Sequence, residues 1–511
     1  MTRRTTWIGL LSAALIFGCS GKKDAADKQP APDKKPPDST NKPDPDKKPP
    51  TPDGKPTPDK KPVTKYPDLV ADPGGHQGKA LWSHRLGGPG KDAVRSVAID
   101  AAGNVAVTGY FSSGADFGDQ ETVEAKKVDA FVSKYNPDGT RAWTATFGGT
   151  GEDVGNGVVF DASGNLFVVG LFTDAMDIGE HKLKGQGSDD VFFAKFSPDG
   201  KPLWAHMFGG PDSDAANDLA IRPDGRIVVT GSFKRTVNTP SGAMKSKGNE
   251  DIFVLELDPD GGLVWVKQFG EGFRDFGQRI VLDSTGHAII LGQFNGDVSF
   301  GGKPLTSIGN QDLVLFKLDE KGGHVWSKRF GSNFNELGLG LATDPAGNIA
   351  ITGSFDNEIT FGGDKLASQG ESDVFVAKFD AAGEHQWSTA FGAAREDIGY
   401  GMGMDKYGNI ALGGWFWQSV DFGGGPLEAN GQNKDAFLVK LSAKGEFRWA
   451  KRFGDRDHDQ LRGVAVNADG KVAAAGIFRF TVDVGTGPLK SAMNAGDKAP
   501  PADVFVAVFE P

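Results

Sequence analysis

The sequence predicts an all-β fold built from seven copies of one four-stranded antiparallel unit. Three observations predict it: a fixed repeat period, strand signals without helix signals inside each repeat, and two chain ends that complement one another. The period is carried by Trp82, Trp143, Trp204, Trp265, Trp326, Trp387 and Trp449, which step by 61 residues five times and by 62 once. Five residues after each tryptophan comes a glycine (Gly87, Gly148, Gly209, Gly270, Gly331, Gly392, Gly454), and ten after comes an acid: Asp92, Asp153, Asp214, Asp275, Glu336, Asp397 and Asp459. Self-similarity at a fixed period marks a repeat architecture.

Within a unit, "NGVVFD" and "NLFVVGLF" are β-branched and aromatic runs separated by the tight-turn signal "ASG". "DVFFAKF" and "PLWAHMF" are two more strands, joined by "SPDG", where glycine can take positive φ. No long run keeps a period of 3.6, and 73 glycines would interrupt one.

The ends decide how the units assemble. The first tryptophan strand, "ALWSHRLGG", has no preceding partner, and the chain stops after "DVFVAVFEP", which lacks the tryptophan strand that follows elsewhere. The Trp82 strand is therefore expected to complete the last unit and close a ring, a seven-bladed β-propeller spanning residues 76–511. Closure leaves only short, protected edges, where a solenoid would need caps.

The units "DVFFAKFSPDGKPLWAHMFGG" and "NGVVFDASGNLFVVGLF" resemble the bacterial β-propeller repeat known as the SBBP repeat. In that repeat a D-x-F-x-x-K strand precedes D-G-x-x-x-W, and a G-N-x-x-V-x-G strand follows. The resemblance covers residues 80–509; the third and fourth units depart at turns, where Arg222 replaces Asp, and Arg226 and His287 replace Asn. It implies the fold and little about activity, because propellers host many functions.

The first nineteen residues, "MTRRTTWIGLLSAALIFGC", have a basic start, an apolar run and a small residue before a cysteine, the pattern of a secretory signal. "IFGC" resembles the lipobox of bacterial lipoprotein precursors, which would make Cys19 the lipid-bearing residue and the membrane a partner. An ordinary signal peptide with a coincidental cysteine is the alternative. Cys19 is the only cysteine, so the chain has neither a disulfide framework nor a cysteine-based metal site. Ser20 follows it, where enteric bacteria place Asp for inner-membrane retention, so a cell-envelope location at the outer membrane is preferred over the inner.

Residues 20–75 hold 14 of the 29 prolines with 12 Lys and 10 Asp, and little there can bury. They read as a disordered tether reaching between roughly 40 and about 170 Å. Leader and tether are net positive, so the chain's net charge of −11 is concentrated in the ring. An acidic ring argues against nucleic acid, whose phosphates need a basic face. The ring itself is expected to be monomeric.

Blade connections alternate between two faces. The tight turns ("DAAGN", "NPDG") share one face; the other takes the loop after each tryptophan strand and the long link between second and third strands. Long loops on a rigid scaffold concentrate binding residues, so a protein or glycan ligand is expected on that face. The links share "DFG" or a related form (Phe117, Phe300, Phe361, Phe422), which suggests small ordered flaps, and the sixth unit has Trp415, Phe416 and Trp417 in place of the usual one aromatic. An aromatic pair among these stacks on a sugar or packs on a neighbouring blade.

The sevenfold acid precedes the innermost strand and should ring one mouth of the channel or lie a little outside it. Each acid then either accepts hydrogen bonds from its own loop or shares a cation, calcium being the candidate cofactor. A second repeated acid, Asp129, Asp190, Asp251, Asp312, Asp373, Asp435 and Asp503, opens the third strands as a turn or blade clamp. A catalytic site uses residues that occur once, and no catalytic set emerges. The eight histidines scatter, with His84 and His206 in equal phase on non-adjacent units, and "DRDHD" (Asp455–Asp459) is the one dense acidic cluster with a histidine. A lipid-anchored binding module fits best. A scaffold in outer-membrane assembly, and a carbohydrate-active or quinone-dependent propeller enzyme, are the alternatives.

Overall fold

In the computed structural model the described residues are 66–75, 77–118, 122–493 and 499–511. Cys19 and the proposed signal peptide lie outside them. Among the described residues all regular structure is strand, gathered into seven four-stranded antiparallel sheets arranged as a β-propeller.

The first blade shows the logic. Its strands run Ala93–Ile99, Val105–Phe111, Asp129–Tyr135 and Arg141–Phe147 from axis to rim. The third strand is buried at every position because blades sandwich it on both faces, whereas the outer tryptophan strand buries only part of its length. Second and third strands therefore read as continuous apolar runs.

The ring closes through both chain ends. The last blade consists of Gln460–Val466, Val472–Phe478, Asp503–Phe509 and, as its outer strand, Ala80–Leu86. Leu86 pairs with Val504 and Trp82 with Val508. One hydrophobic cluster joins Trp82, Leu86, Val504 and Val506 to Val94, Val107 and Phe131 of the first blade, which seals the junction.

The long links fold back as two-stranded hairpins in six blades, for example Ala175–Ile178 with His181–Lys184. The phenylalanines shared by the links plug them into the blades: Phe300 is buried against Phe294 (5.5 Å, edge-on) and Phe316 (4.9 Å). In the third blade the hairpin is continuous with the sheet, so Ile227–Thr239 and Gly242–Leu257 run 13 and 16 residues.

The segment expected to be unfolded through residue 75 is docked from Tyr66 onward, across the tight-turn face. Tyr66 Oη donates to Asp283 Oδ2 at 2.9 Å in the fourth blade, Leu69 lies at the Gly408 turn of the sixth, and Asp72 Oδ2 accepts from Asn409 at 3.2 Å and Arg448 at 3.1 Å. Composition missed this because a few side chains, not a hydrophobic run, hold the strap.

Candidate functional site

Most repeated polar residues are committed to holding blades together. Six of the seven repeated tryptophans pack on the glycine turn between the third and fourth strands of the following blade, and four of them, Trp82, Trp143, Trp204 and Trp387, donate to a carbonyl of that turn. Trp143 Nε1 donates to Pro198 O at 2.9 Å and Trp387 Nε1 to Ala443 O at 3.1 Å. The lysine of the D-x-F-x-x-K strand reaches the same carbonyls: Lys134 Nζ to Pro198 O at 2.9 Å, Lys378 Nζ to Ala443 O at 3.1 Å. In the fourth to sixth blades this buried lysine also meets a buried turn acid of its own blade, Lys317–Asp283 (2.6 Å), Lys378–Asp344 (3.8 Å) and Lys440–Asp405 (3.2 Å). The third blade reverses both charges. Glu256 stands in the lysine position and Arg222 in the turn, with Arg222 Nε donating to Glu256 Oε2 at 2.7 Å. The last blade has neither charge, carrying Asn467 and Val508 at those positions.

The two acid series meet at the blade junctions, on the hairpin face rather than on the axis. All seven acids of the first series are buried and braced by their own loops. Asp92 accepts from Gly88 N (2.7 Å) and Ser112 N (3.2 Å), and Asp397 from Ala393 N and Trp417 N (both 2.9 Å). Each also lies beside the second-series acid of the preceding blade: Asp92 by Asp503, Asp153 by Asp129, Asp214 by Asp190, Asp275 by Asp251, Glu336 by Asp312, Asp397 by Asp373, Asp459 by Asp435. Burial, reinforced by that neighbouring carboxylate, raises the pKa to about 7 for Asp92, Asp153, Asp275, Glu336 and Asp397, and to about 8 for Asp214 and Asp459. Among the described residues no group of three or more His, Cys, Asp or Glu side chains is placed to share a metal ion.

The repeated glycine between the two acids explains itself by space. A Cβ on Gly148 would sit 2.6 Å from Asp153 Oδ2 and 2.7 Å from Asp129 Oδ1. At Gly209 it would be 1.6 Å from Asp190 Oδ1.

The axis is where the blades differ. Every innermost strand carries a β-bulge three residues past its acid, marked by register shifts at Val94/Ser96, Gly155/Gly157, Ala216/Asp218, Gly277/Arg279, Gly338/Gly340, Gly399/Gly401 and Leu461/Gly463. A bulge re-aims the extra side chain. The seven bulged residues, in ring order from the last blade, are Arg462, Arg95, Asn156, Asn217, Gln278, Leu339 and Tyr400. Two arginines form a cationic arc, three amides a polar arc, and Leu339 and Tyr400 an apolar arc continuous with buried Trp415 and Ile398.

The amides knit neighbouring inner strands: Asn156 Nδ2 donates to Ala216 O at 3.0 Å and Asn217 Nδ2 to Gly277 O at 2.8 Å. The next position in the fourth blade, Arg279, donates Nε to Leu339 O at 2.8 Å and lies near Asp218. Arg95 stands over the Tyr110 ring (5.4 Å), with its Nε buried and without a hydrogen-bond partner among the described residues. Burial and the charge of Arg462 pull its pKa down to about 10, and Arg279, from the opposite side of the ring, adds to this. The sequence signal for this ring was the column three residues after each acid, which changes chemistry from blade to blade inside an otherwise uniform strand.

On the hairpin face the remaining singular residues separate. Trp415 is buried beneath Lys434, whose Nζ lies 3.4 Å from its ring centroid. Trp417 is partly exposed beside Arg395 (5.3 Å) and His458 (5.7 Å). Within "DRDHD", Asp459 accepts from Asp455 N at 3.2 Å and Asp457 pairs with Arg479 at 3.4 Å. Phe273, Ile308 and Phe334 are exposed on the loops and hairpin around the fourth blade. An open recess of about 580 Å³ borders the second hairpin, lined by Asp174, Asp177, Lys182 and Lys184.

No protein-family profile matches the chain. It is similar to an uncharacterized WD repeat-containing protein, L264, of Acanthamoeba polyphaga mimivirus, at 24% identity over 399 residues, 61% of this chain and 28% of that protein. It is also similar to the regulatory protein FlaEY of Caulobacter vibrioides, at 28% identity over 181 residues, 34% of this chain and 19% of that protein. The chain thus spans well under a third of the length of either relative. Similar solved structures include the Neurospora crassa Pan2 WD40 domain, at a TM-score of 0.43 and 10% identity, covering 85% of this chain and 98% of that one. Another is Sqt1 from Chaetomium thermophilum, at 0.38 and 10%, covering 85% of this chain and 100% of that one.

Proposed function

We propose that the chain is a lipoprotein of the cell envelope with SBBP-type repeats, which presents its propeller as a binding module on a tether lipidated at Cys19. The observation that supports the binding role is the axial ring: the rim and the junctions repeat one set of contacts seven times, whereas the bulged residues at the axis vary from Arg462 and Arg95 to Leu339 and Tyr400. Repetition serves the ring, and variation at a shared, re-aimed position serves a ligand. The basic start, apolar run and single cysteine of the leader support the anchor.

Two measurements test it with the full-length chain. Cell fractionation is expected to place the protein in the membrane fraction and Cys19→Ala in the soluble fraction; retention of Cys19→Ala in the membrane would refute the anchor. Capture from envelope extracts is expected to retain a molecule on the folded chain that the heat-unfolded chain does not retain. Equal retention by both would refute the binding role.

A further inference from the structure

Resting on the binding-module reading, we propose that the axial ring is a site for a small organic oxyanion: a carboxylate or phosphate group held between Arg95 and Arg462, with the apolar part of the molecule against Leu339 and Tyr400. Four observations support this assignment.

First, the two arginines come from adjacent blades and occupy the same bulged position, so the fold directs both to the axis side by side. Second, their positive charge is not spent inside the protein. Among the described residues neither Arg95 nor Arg462 forms an ion pair; Arg462 donates only to the neutral Gln460 Oε1, at 3.0 and 3.3 Å, and Arg95 Nε has no acceptor. Other junctions show what a committed arginine looks like here, as in Arg329–Asp312 at 2.6 Å and Arg222–Glu256 at 2.7 Å. Two like charges held together without a counter-charge repel each other, and an oxyanion that accepts from both removes that repulsion while forming charge-assisted hydrogen bonds.

Third, the ring is chemically asymmetric. Beside the cationic arc, with Arg462 over the Tyr400 ring at 5.9 Å, Leu339 and Tyr400 belong to an apolar cluster with Ile398 and Trp415, so a bound anion is offered an apolar wall on the same axis. Fourth, Arg279 is held by its bond to Leu339 O with the charge of Asp218 nearby, and the amides Asn156 and Asn217 are held by inner-strand carbonyls, so these arcs are pre-organised and need not rearrange to admit a ligand. A bare inorganic anion would use one arc of the site; an amphipathic organic anion uses both.

The test is isothermal calorimetry of the full-length chain in detergent with phenyl phosphate, phenylacetate and inorganic phosphate as probes. Saturable binding with one site per chain is expected for at least one of the two aromatic probes, which one identifying phosphate or carboxylate as the favoured group. That binding should weaken more than tenfold in Arg95→Gln and in Arg462→Gln, and should be unchanged in Arg448→Gln, which lies on the strap face. Thermal melting of each variant confirms that the ring is intact. No saturable binding of either aromatic probe would overturn the proposal. So would binding indifferent to both axial substitutions in folded variants, or inorganic phosphate binding as tightly as phenyl phosphate. Envelope capture and fractionation do not read the axis, so a failure here is separable from a failure of the binding-module reading.

Discussion

The carboxylates of Asp153 and Asp129 converge on one point at the junction of the first two blades, the point a side chain on Gly148 would fill, and each has a buried oxygen without a hydrogen-bond partner among the described residues. Two buried carboxylates this close are not both comfortable ionised, and a single proton shared between them relieves the repulsion.

The sign of the resulting pH dependence is fixed. A carboxyl raised from 3.8 to about 7 binds its proton more tightly folded than unfolded, so its contribution is full below about pH 4 and is lost as pH rises through about 7. Asp275 and Asp397 behave alike, and for Asp214 and Asp459 the loss extends to about pH 8. Asp283 runs the other way: burial opposes it, but hydrogen bonds from His287, Lys317 and Thr285 hold its pKa well down, so its contribution is lost only under strong acid. The melting temperature is therefore expected to fall between pH 5 and pH 8.5. Asp153→Asn, which places a neutral donor beside Asp129, should lessen that fall by the share of this one carboxyl among the seven.

Gly209→Ala tests the spatial account of the repeated glycine without invoking backbone strain. The new methyl would lie 1.6 Å from Asp190 Oδ1, so the loop or the carboxylate must move. A cost of about 1–3 kcal/mol is expected from overpacking, read as a lower urea midpoint at unchanged m-value.

The reversed pair of the third blade predicts strong coupling. Glu256→Lys alone faces Arg222 with a second buried cation and should cost about 3–5 kcal/mol. Adding Arg222→Asp recreates the Asp283–Lys317 arrangement, whose charges meet at 2.6 Å, and should recover most of the loss. Urea unfolding of both single variants and the double variant measures the coupling.

Gly78 stacks on Trp449 as the Asp-Gly turn glycines stack on the tryptophans of other blades; Gly139 on Trp82 is one. The last blade has no such turn because its outer strand comes from the other end of the chain, and the strap supplies the missing glycine. Its φ of +61° and the indole 2.6 Å from any Cβ exclude a side chain. Gly78→Val should lower the melting temperature, by roughly 2–4 °C for each kcal/mol lost.

Much of this was legible in the sequence. The tryptophan period gave the blade count, and the unmatched strands at the two ends gave the closure by Ala80–Leu86. The axial ring was not read, because a bulge is a property of pairing register and its varying residues look like noise in a repeat. The carboxylate pairs escaped for a related reason: Asp153 and Asp129 lie in different repeats, and only the ring topology brings them together. The double reversal of Arg222 and Glu256 was visible only as one turn substitution until the buried lysine position was seen to face that turn. The strap from Tyr66 to Gly75 escaped because its proline-rich composition is that of the tether before it.

The central claim is that both chain ends build one blade and so make seven blades a single cooperative ring around a formed axis. Deleting residues 76–88, which removes Gly78, Trp82 and Leu86, tests it most directly by differential scanning calorimetry of the otherwise full-length chain. The whole unfolding transition is expected to move down together, by more than about 10 °C. An unchanged melting temperature would contradict it.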